Sequence, residues 1–146
     1  MSEPVVLCLD LSRKCSGYAV GQGEVEASGS FSCKSLVEAK IRFKMLLDLW
    51  RPNYVFYAKP TRYYAAIRAQ SKVEGVLELA IEEYNSMFNK KVKVIDSLVD
   101  SQCKKQVLGS GKATKKQIKE HFNKESEDEA DAIMFFHYAI KMLQQL

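Results

Sequence analysis

The chain has 146 residues, with 22 basic and 18 acidic side chains, a net charge of +4 at pH 7 and 47% hydrophobic residues. That length and composition suit one globular domain, 1–146, with room for a core. No apolar run nears the roughly 20 residues of a membrane span, and MSEPVVLCLD has neither the basic region nor the cleavage site of a secretory leader, so a soluble, cytoplasmic protein is expected.

Residues 5–9, VVLCL, form an apolar run closed by Asp10, the pattern of a buried strand with a polar exit. GYAVG (17–21) and VEASGSF (25–31), joined by Gln22-Gly23-Glu24, read as a hairpin, so the first three strands form an antiparallel meander. Leu36, Ile41, Phe43, Leu46, Leu47 and Trp50 mark a helix over 35–50, ended by Pro52. A fourth strand follows at 54–57, then a long amphipathic helix over 61–85. Gly75 inside that helix costs about 1 kcal/mol against alanine, which close packing against a second copy would offset. KVKVI (91–95) alternates as a fifth strand. A short helix at 101–108 capped by Asp100, a break at GSG, a helix from Lys115 and a last helix over 127–143 complete the chain. The order predicts an α/β fold, a five-stranded mixed sheet flanked by helices. Cys8, Cys15, Cys33 and Cys103 lack C-x-x-C spacing and read as reduced thiols.

Charge is segregated. Residues 104–119 hold six lysines and no acid, whereas 125–131, ESEDEAD, hold five acids and no base. Two solvated faces would account for this, but so would a site that meets a polyanion with lysines and holds cations with carboxylates. Ser126 through Glu129 fits a capping box, which sets Asp128 and Asp131 about 60° apart on one face of the last helix. The helix macrodipole accounts for Glu127 and Asp128, and less well for Asp131 among Ala130, Ala132 and Ile133. Asp10 reads either as a turn residue or as an acid aimed into the crevice at the strand exit. Carboxylates that converged from a first strand and a last helix would require a hard divalent cation to offset their repulsion.

VVLCLDLSRKCSGYAV resembles the first strand pair of RuvC-type Holliday junction resolvases: apolar strand, Asp, x-Ser, then Gly-Tyr. DSQCKKQVLGSGKATKKQI is similar to that family's lysine-bearing helix and loop, and EDEADAI to its terminal D-x-x-D-A helix. The three segments occur in the family's order over nearly the whole chain, and small enzymes of lactococcal bacteriophages are the nearest type. The resemblance implies an RNase H-like fold, a homodimer, for which the 61–85 helix with Gly75 is the candidate interface, and an endonuclease for Holliday junctions and other branched DNA. It makes Asp10, Asp128 and Asp131 catalytic ligands of Mg²⁺, with Mn²⁺ able to substitute, in the cytoplasm of a bacterial host. The family's fourth ligand is a Glu at the end of strand four, where this chain has Ala58 beside Lys59. Alanine is the usual truncation, which favours an introduced Glu→Ala change; the other account is a natural absence covered by Glu127 or Glu129. Glu74 lies inside the following helix and does not match the motif.

GSGKAT is not a P-loop: Gln106 stands at the first-glycine position and Ala113 follows the lysine. Gly109 and Gly111 are expected to let backbone approach a phosphate, with Lys112 adding charge. Lys104, Lys105, Lys115 and Lys116 would contact DNA backbone without reading sequence. Arg62, Tyr63 and Tyr64 follow the position-58 loop, where an aromatic either packs in the core or stacks on an unpaired base. His137 on an apolar helix face reads as structural, and His121 has no assigned role. Two alternatives remain: a non-catalytic junction-binding relic of the family, and an RNase H-like nuclease acting on RNA–DNA hybrids.

Overall fold

In the computed structural model, residues 3–12, 14–59 and 64–145 are described. Five strands, β1 (Val6–Asp10), β2 (Cys15–Gln22), β3 (Glu24–Ser32), β4 (Tyr54–Ala58) and β5 (Lys93–Leu98), form one sheet in the order β3-β2-β1-β4-β5. β1, β2 and β3 pair antiparallel, while β4 and β5 join in parallel. Five helices accompany it: α1 (Leu36–Trp50), α2 (Tyr64–Phe88), α3 (Asp100–Leu108), α4 (Lys115–Phe122) and α5 (Glu127–Gln144). The expected mixed α/β sheet is thus observed.

β1 is central because both of its faces are apolar. Val6 and Cys8 point into a core layer under α5, with Phe56, Ile118, Met134 and Phe136. Leu7 and Leu9 point to the other face, against Phe43 and Leu47 of α1 and Val73 and Leu77 of α2. A strand covered on both faces reads as a continuous hydrophobic run, which is why VLCL lacks alternation.

Several details differ from the sequence expectation. The fifth strand begins at Lys93 rather than 91 and runs to Leu98, and the long helix extends to Phe88. Hydrogen-bond pairing with β4 in parallel register, from Tyr54↔Lys93 onward, sets the strand's start rather than its own alternation. In α1 the buried stripe is Ala39, Phe43, Leu46 and Leu47, while Leu36 and Ile41 are 41% and 53% exposed. That helix ends at Arg51 in the left-handed conformation, φ +48°, one residue before Pro52. Val99 caps α3 without a side-chain bond; Asp100 is instead the first helical residue and pairs with Lys104 at 2.7 Å. All four cysteines are free. Among the described residues no helix is long and apolar enough to cross a membrane.

Candidate metal and nucleic-acid site

Asp10 ends β1 directly opposite Gly17 of β2. Beyond it the chain is tied back by Ser16, whose hydroxyl donates to the Ser12 carbonyl at 3.3 Å and accepts from the Ser12 N–H at 3.3 Å. Gly17 is where α5 meets the sheet. A Cβ there would lie 1.9 Å from the carbonyl oxygen of Asp128 and 2.7 Å from the Glu129 nitrogen. The missing side chain therefore lets the first turn of α5 rest on β2 beside Asp10.

That turn begins at Ser126, which accepts from Glu129 N–H at 3.2 Å. The return half of the expected capping box does not form. The Glu129 carboxylate instead accepts from Ser28 Oγ at 2.7 Å and faces Lys124 at 3.5 Å, which pins α5 to β3. A complete capping box occurs one helix earlier, between Thr114 and Gln117.

The Asp10, Asp128 and Asp131 carboxyls converge. Burial, then the negative charges of Asp131 and Asp128, and hydrogen bonds to both, drive the Asp10 carboxyl well above the usual carboxylate range. Asp131 is pushed up to about 6, chiefly by burial and by Asp100, against the opposing pull of Asp10's hydrogen bond and of Lys115 and Lys104. Among the described residues, no three Asp, Glu, His or Cys side chains already surround a space of the kind a cation fills. The donor set nevertheless suits a hard divalent ion, because carboxylate oxygens are the ligands such a cation prefers and its charge would offset the repulsion felt by Asp10. Cys15 lies at the rim, its thiol raised by burial and by contact with Asp128.

Ala58 ends β4 beside the same crevice. Parallel pairing of β4 with β1 runs through Leu9↔Tyr57, which sets residue 58 next to Asp10. Its methyl packs with the α5-side core layer, the face that Asp10 also addresses. No carboxylate stands there. Glu127 is held by Lys115 at 3.3 Å and Glu129 by Ser28, so both nearby acids are turned to other partners. Glu74 sits on α2 with Glu78, Asp96 and Lys59 as its charged neighbours rather than Asp10.

The lysines fall into two groups. Lys104 and Lys115 lie close enough to act on Asp131, and each already has an acid partner, Asp100 and Glu127. Lys105, Lys112 and Lys116 are exposed. Gly109 ends α3 with φ +85°, and a Cβ on Gly111 would touch the Ser101 carbonyl at 3.2 Å. Both glycines therefore have local reasons: a helix stop, and close packing of the loop on α3. Arg62 and Tyr63 lie outside the described residues, as does the Tyr64 side chain. His137 stacks on Phe122 at 5.6 Å with the rings 7° from parallel, and His121 meets that ring edge-on at 4.7 Å. His137 of α5 thus packs on α4 through Phe122, whose ring His121 flanks within α4.

Sequence reasoning assigned no part in the site to Gly17 or to Cys15. Gly17 lay inside the quoted motif, but only the packing of α5 reveals why it must be glycine.

The chain matches no family model and no curated protein sequence. It is similar to solved structures of Thermus thermophilus RuvC, at 16% identity over 94% of this chain and 96% of that one with a TM-score of 0.68. For the same protein in complex with a Holliday junction substrate the values are 17%, 90%, 90% and 0.69. Fowlpox virus resolvase with its substrate Holliday junction DNA gives 15%, 95%, 98% and 0.56. The mixed five-stranded sheet with its helices thus matches the RuvC, RNase H-like architecture.

Proposed function

We propose that the chain has the architecture and site of a divalent-metal-dependent endonuclease selective for Holliday junctions and other branched DNA, and that it lacks one ligand at position 58. The observation carrying this reading is the convergence of Asp10, Asp128 and Asp131 at the end of the central strand, with lysines at their edge. The likeness to two resolvases solved with junction DNA supports the substrate class.

Asp10, Asp128 and Asp131 would hold the cation, Mg²⁺ or Mn²⁺. When bound, it supplies an activated water and stabilises the leaving oxygen of phosphodiester hydrolysis. Lys104 and Lys115 limit the net negative charge that an approaching phosphate meets. Lys105, Lys112 and Lys116 neutralise backbone phosphates and confer salt-dependent, sequence-independent affinity. Arg62, Tyr63 and Tyr64 would meet the unstacked bases at the branch. A four-way junction needs paired cuts, so two copies act together, with α2 as the contact: the space around Gly75 is open and Leu79 is 45% exposed. A small phage-type enzyme working in the cytoplasm of a bacterial host fits this reading.

The test is Ala58→Glu assayed on a four-way junction with Mg²⁺ or Mn²⁺. Cleavage that appears in the variant, and disappears again on adding Asp10→Asn without loss of binding, supports the proposal. Absence of any gain over the Ala58 chain favours the second reading, a junction-binding protein without catalysis, which Ala58 itself motivates. Preference for an RNA–DNA hybrid over a junction in competition would redirect the substrate assignment.

A further inference from the structure

Residue 58 is held far more firmly than a methyl group requires. Three positions of β5 face two of β4 where the register shifts between Phe56↔Ile95 and Ala58↔Leu98. Such irregularities bend a strand end and re-aim its side chains, often beside active sites. Past the shift, the Ala58 carbonyl accepts a hydrogen bond from Gln70 Nε2 of α2 at 2.8 Å. The same amide nitrogen also donates to Glu74 Oε1 at 3.3 Å, which fixes which way the amide faces. On the following residue, Lys59 Nζ meets Asp96 at 2.8 Å, with both side chains about half exposed. An exposed ion pair of this kind holds little. The part-buried Gln70 bond is therefore the principal restraint on the peptide after residue 58.

We infer that Gln70 is a positioning residue: its amide fixes the carbonyl of residue 58 and so directs the Cα–Cβ bond at that position towards Asp10. This rests on the reading that position 58 is a ligand position of the nuclease site. Alanine has no side-chain torsion to aim, so in the chain as it stands the Gln70–Glu74 relay only satisfies and restrains the residue-58 carbonyl. It suits a longer side chain whose oxygen must reach the Asp10 cluster. Gln70 comes from the helix on the opposite face of the sheet, so it acts through the strand end and touches neither DNA nor cation. Glu74, out of reach of Asp10, takes part as the orienting group for Gln70.

The experiment combines Gln70 variants with Ala58→Glu. Gln70→Ala and Gln70→Glu, the latter an acceptor of the same shape that cannot donate, should each lower kcat for junction cleavage roughly ten- to a hundredfold, the scale set by a misplacement near 1 Å. KM for the junction should stay within about twofold, because no phosphate or base contact is lost. Gln70→Lys retains a donor of similar reach and should recover most of the rate. A loss in KM alone, or unchanged kcat in Gln70→Ala, overturns the assignment. If Ala58→Glu itself does not cut, the nuclease reading fails separately. Gln70 is then judged in the present chain by the ¹³C resonance of the Ala58 carbonyl, which must move on Gln70→Ala if the bond holds that peptide and stays put if it does not. Circular dichroism confirms that each variant is folded.

Discussion

The contact between Gly17 and the first turn of α5 is the tightest test of how the site is assembled. In Gly17→Ala the new methyl would sit 1.9 Å from the Asp128 carbonyl oxygen, 2.2 Å from its carbonyl carbon and 2.7 Å from the Glu129 nitrogen. All three are backbone atoms, so no side chain can swing aside. To reach ordinary contact at 3.4 Å the helix terminus must recede by about 1.5 Å. Overpacking of this kind costs about 1–3 kcal/mol, and restricting the unfolded chain returns about 0.4–1 kcal/mol. The net loss is about 1–2 kcal/mol, which lowers Tm by about 3–6 °C in a chain of this size. The effect on the site is larger. Asp128 and Asp131 travel with the helix while Asp10 stays with β1, so a displacement beyond 1 Å should reduce cleavage about a hundredfold in the Ala58→Glu background. A thermal melt, a Mn²⁺ titration of the present chain and a junction-cleavage assay together measure these effects. An unchanged melt with unchanged Mn²⁺ affinity would refute the account of how α5 is seated.

The lysines separate by their partners. Lys112→Ala and Lys116→Ala should each reduce the slope of log K against log salt by about 0.9, equally on all sequences, whereas Lys104→Ala, already paired with Asp100, should change it less; filter binding across salt concentrations measures both. Asp10→Asn should raise Tm in EDTA by about 2–4 °C, because an amide can donate to Asp128 and Asp131 without adding charge, and it should abolish stabilisation by Mn²⁺; a lower Tm in EDTA counts against crowding of the carboxyls. Burial, His121 and Lys141 hold His137 below its ordinary value of 6.5. Its neutral form is therefore favoured in the folded chain, and its contribution is present above that value and lost as pH falls beneath it. His137→Gln should flatten the decline of unfolding free energy between about pH 7 and pH 5; an unaltered slope counts against burial of His137 beside His121 and Lys141 as its origin.

The segments whose apolar pattern matched their final environment could be read from the sequence alone. VVLCL was legible as a strand covered on both faces, because neither Leu7 nor Cys8 leaves a polar side to face water. The antiparallel meander followed from Gly23 between two strand-like runs, and Gly23 does adopt φ +75°. Placing the acids at the exit of β1 and the start of α5 was also possible, because Asp10 closes a strand and Ser126 marks a cap. Other features depended on partners distant in sequence. Glu129 abandoned its capping box for Ser28, 101 residues earlier, a choice no local pattern encodes. Ile41 looked like core by spacing, yet the buried side of α1 was decided by where Phe43 and Leu47 meet the sheet. The Thr114–Gln117 box, by contrast, was a local signal that the lysine count obscured.

The acids and the alanine bear differently on the choice between a nuclease and a binding protein. Packing three carboxyls beneath a helix terminus raises the free energy of the metal-free fold, as the elevated values of Asp10 and Asp131 indicate. A protein that only bound phosphate backbone would be more stable and bind more tightly without Asp10, since each acid there repels the ligand. Retaining the trio is intelligible if a cation is part of the working state. Ala58 points the other way only if it is native, because losing one ligand lowers the repulsion without removing the site. Variants of the relay from Glu74 through Gln70 to the residue-58 carbonyl distinguish these cases. A loss of kcat on Gln70→Ala in the Ala58→Glu chain would mark the relay as part of a nuclease altered at residue 58, whereas a relic would gain no cleavage from Ala58→Glu at all.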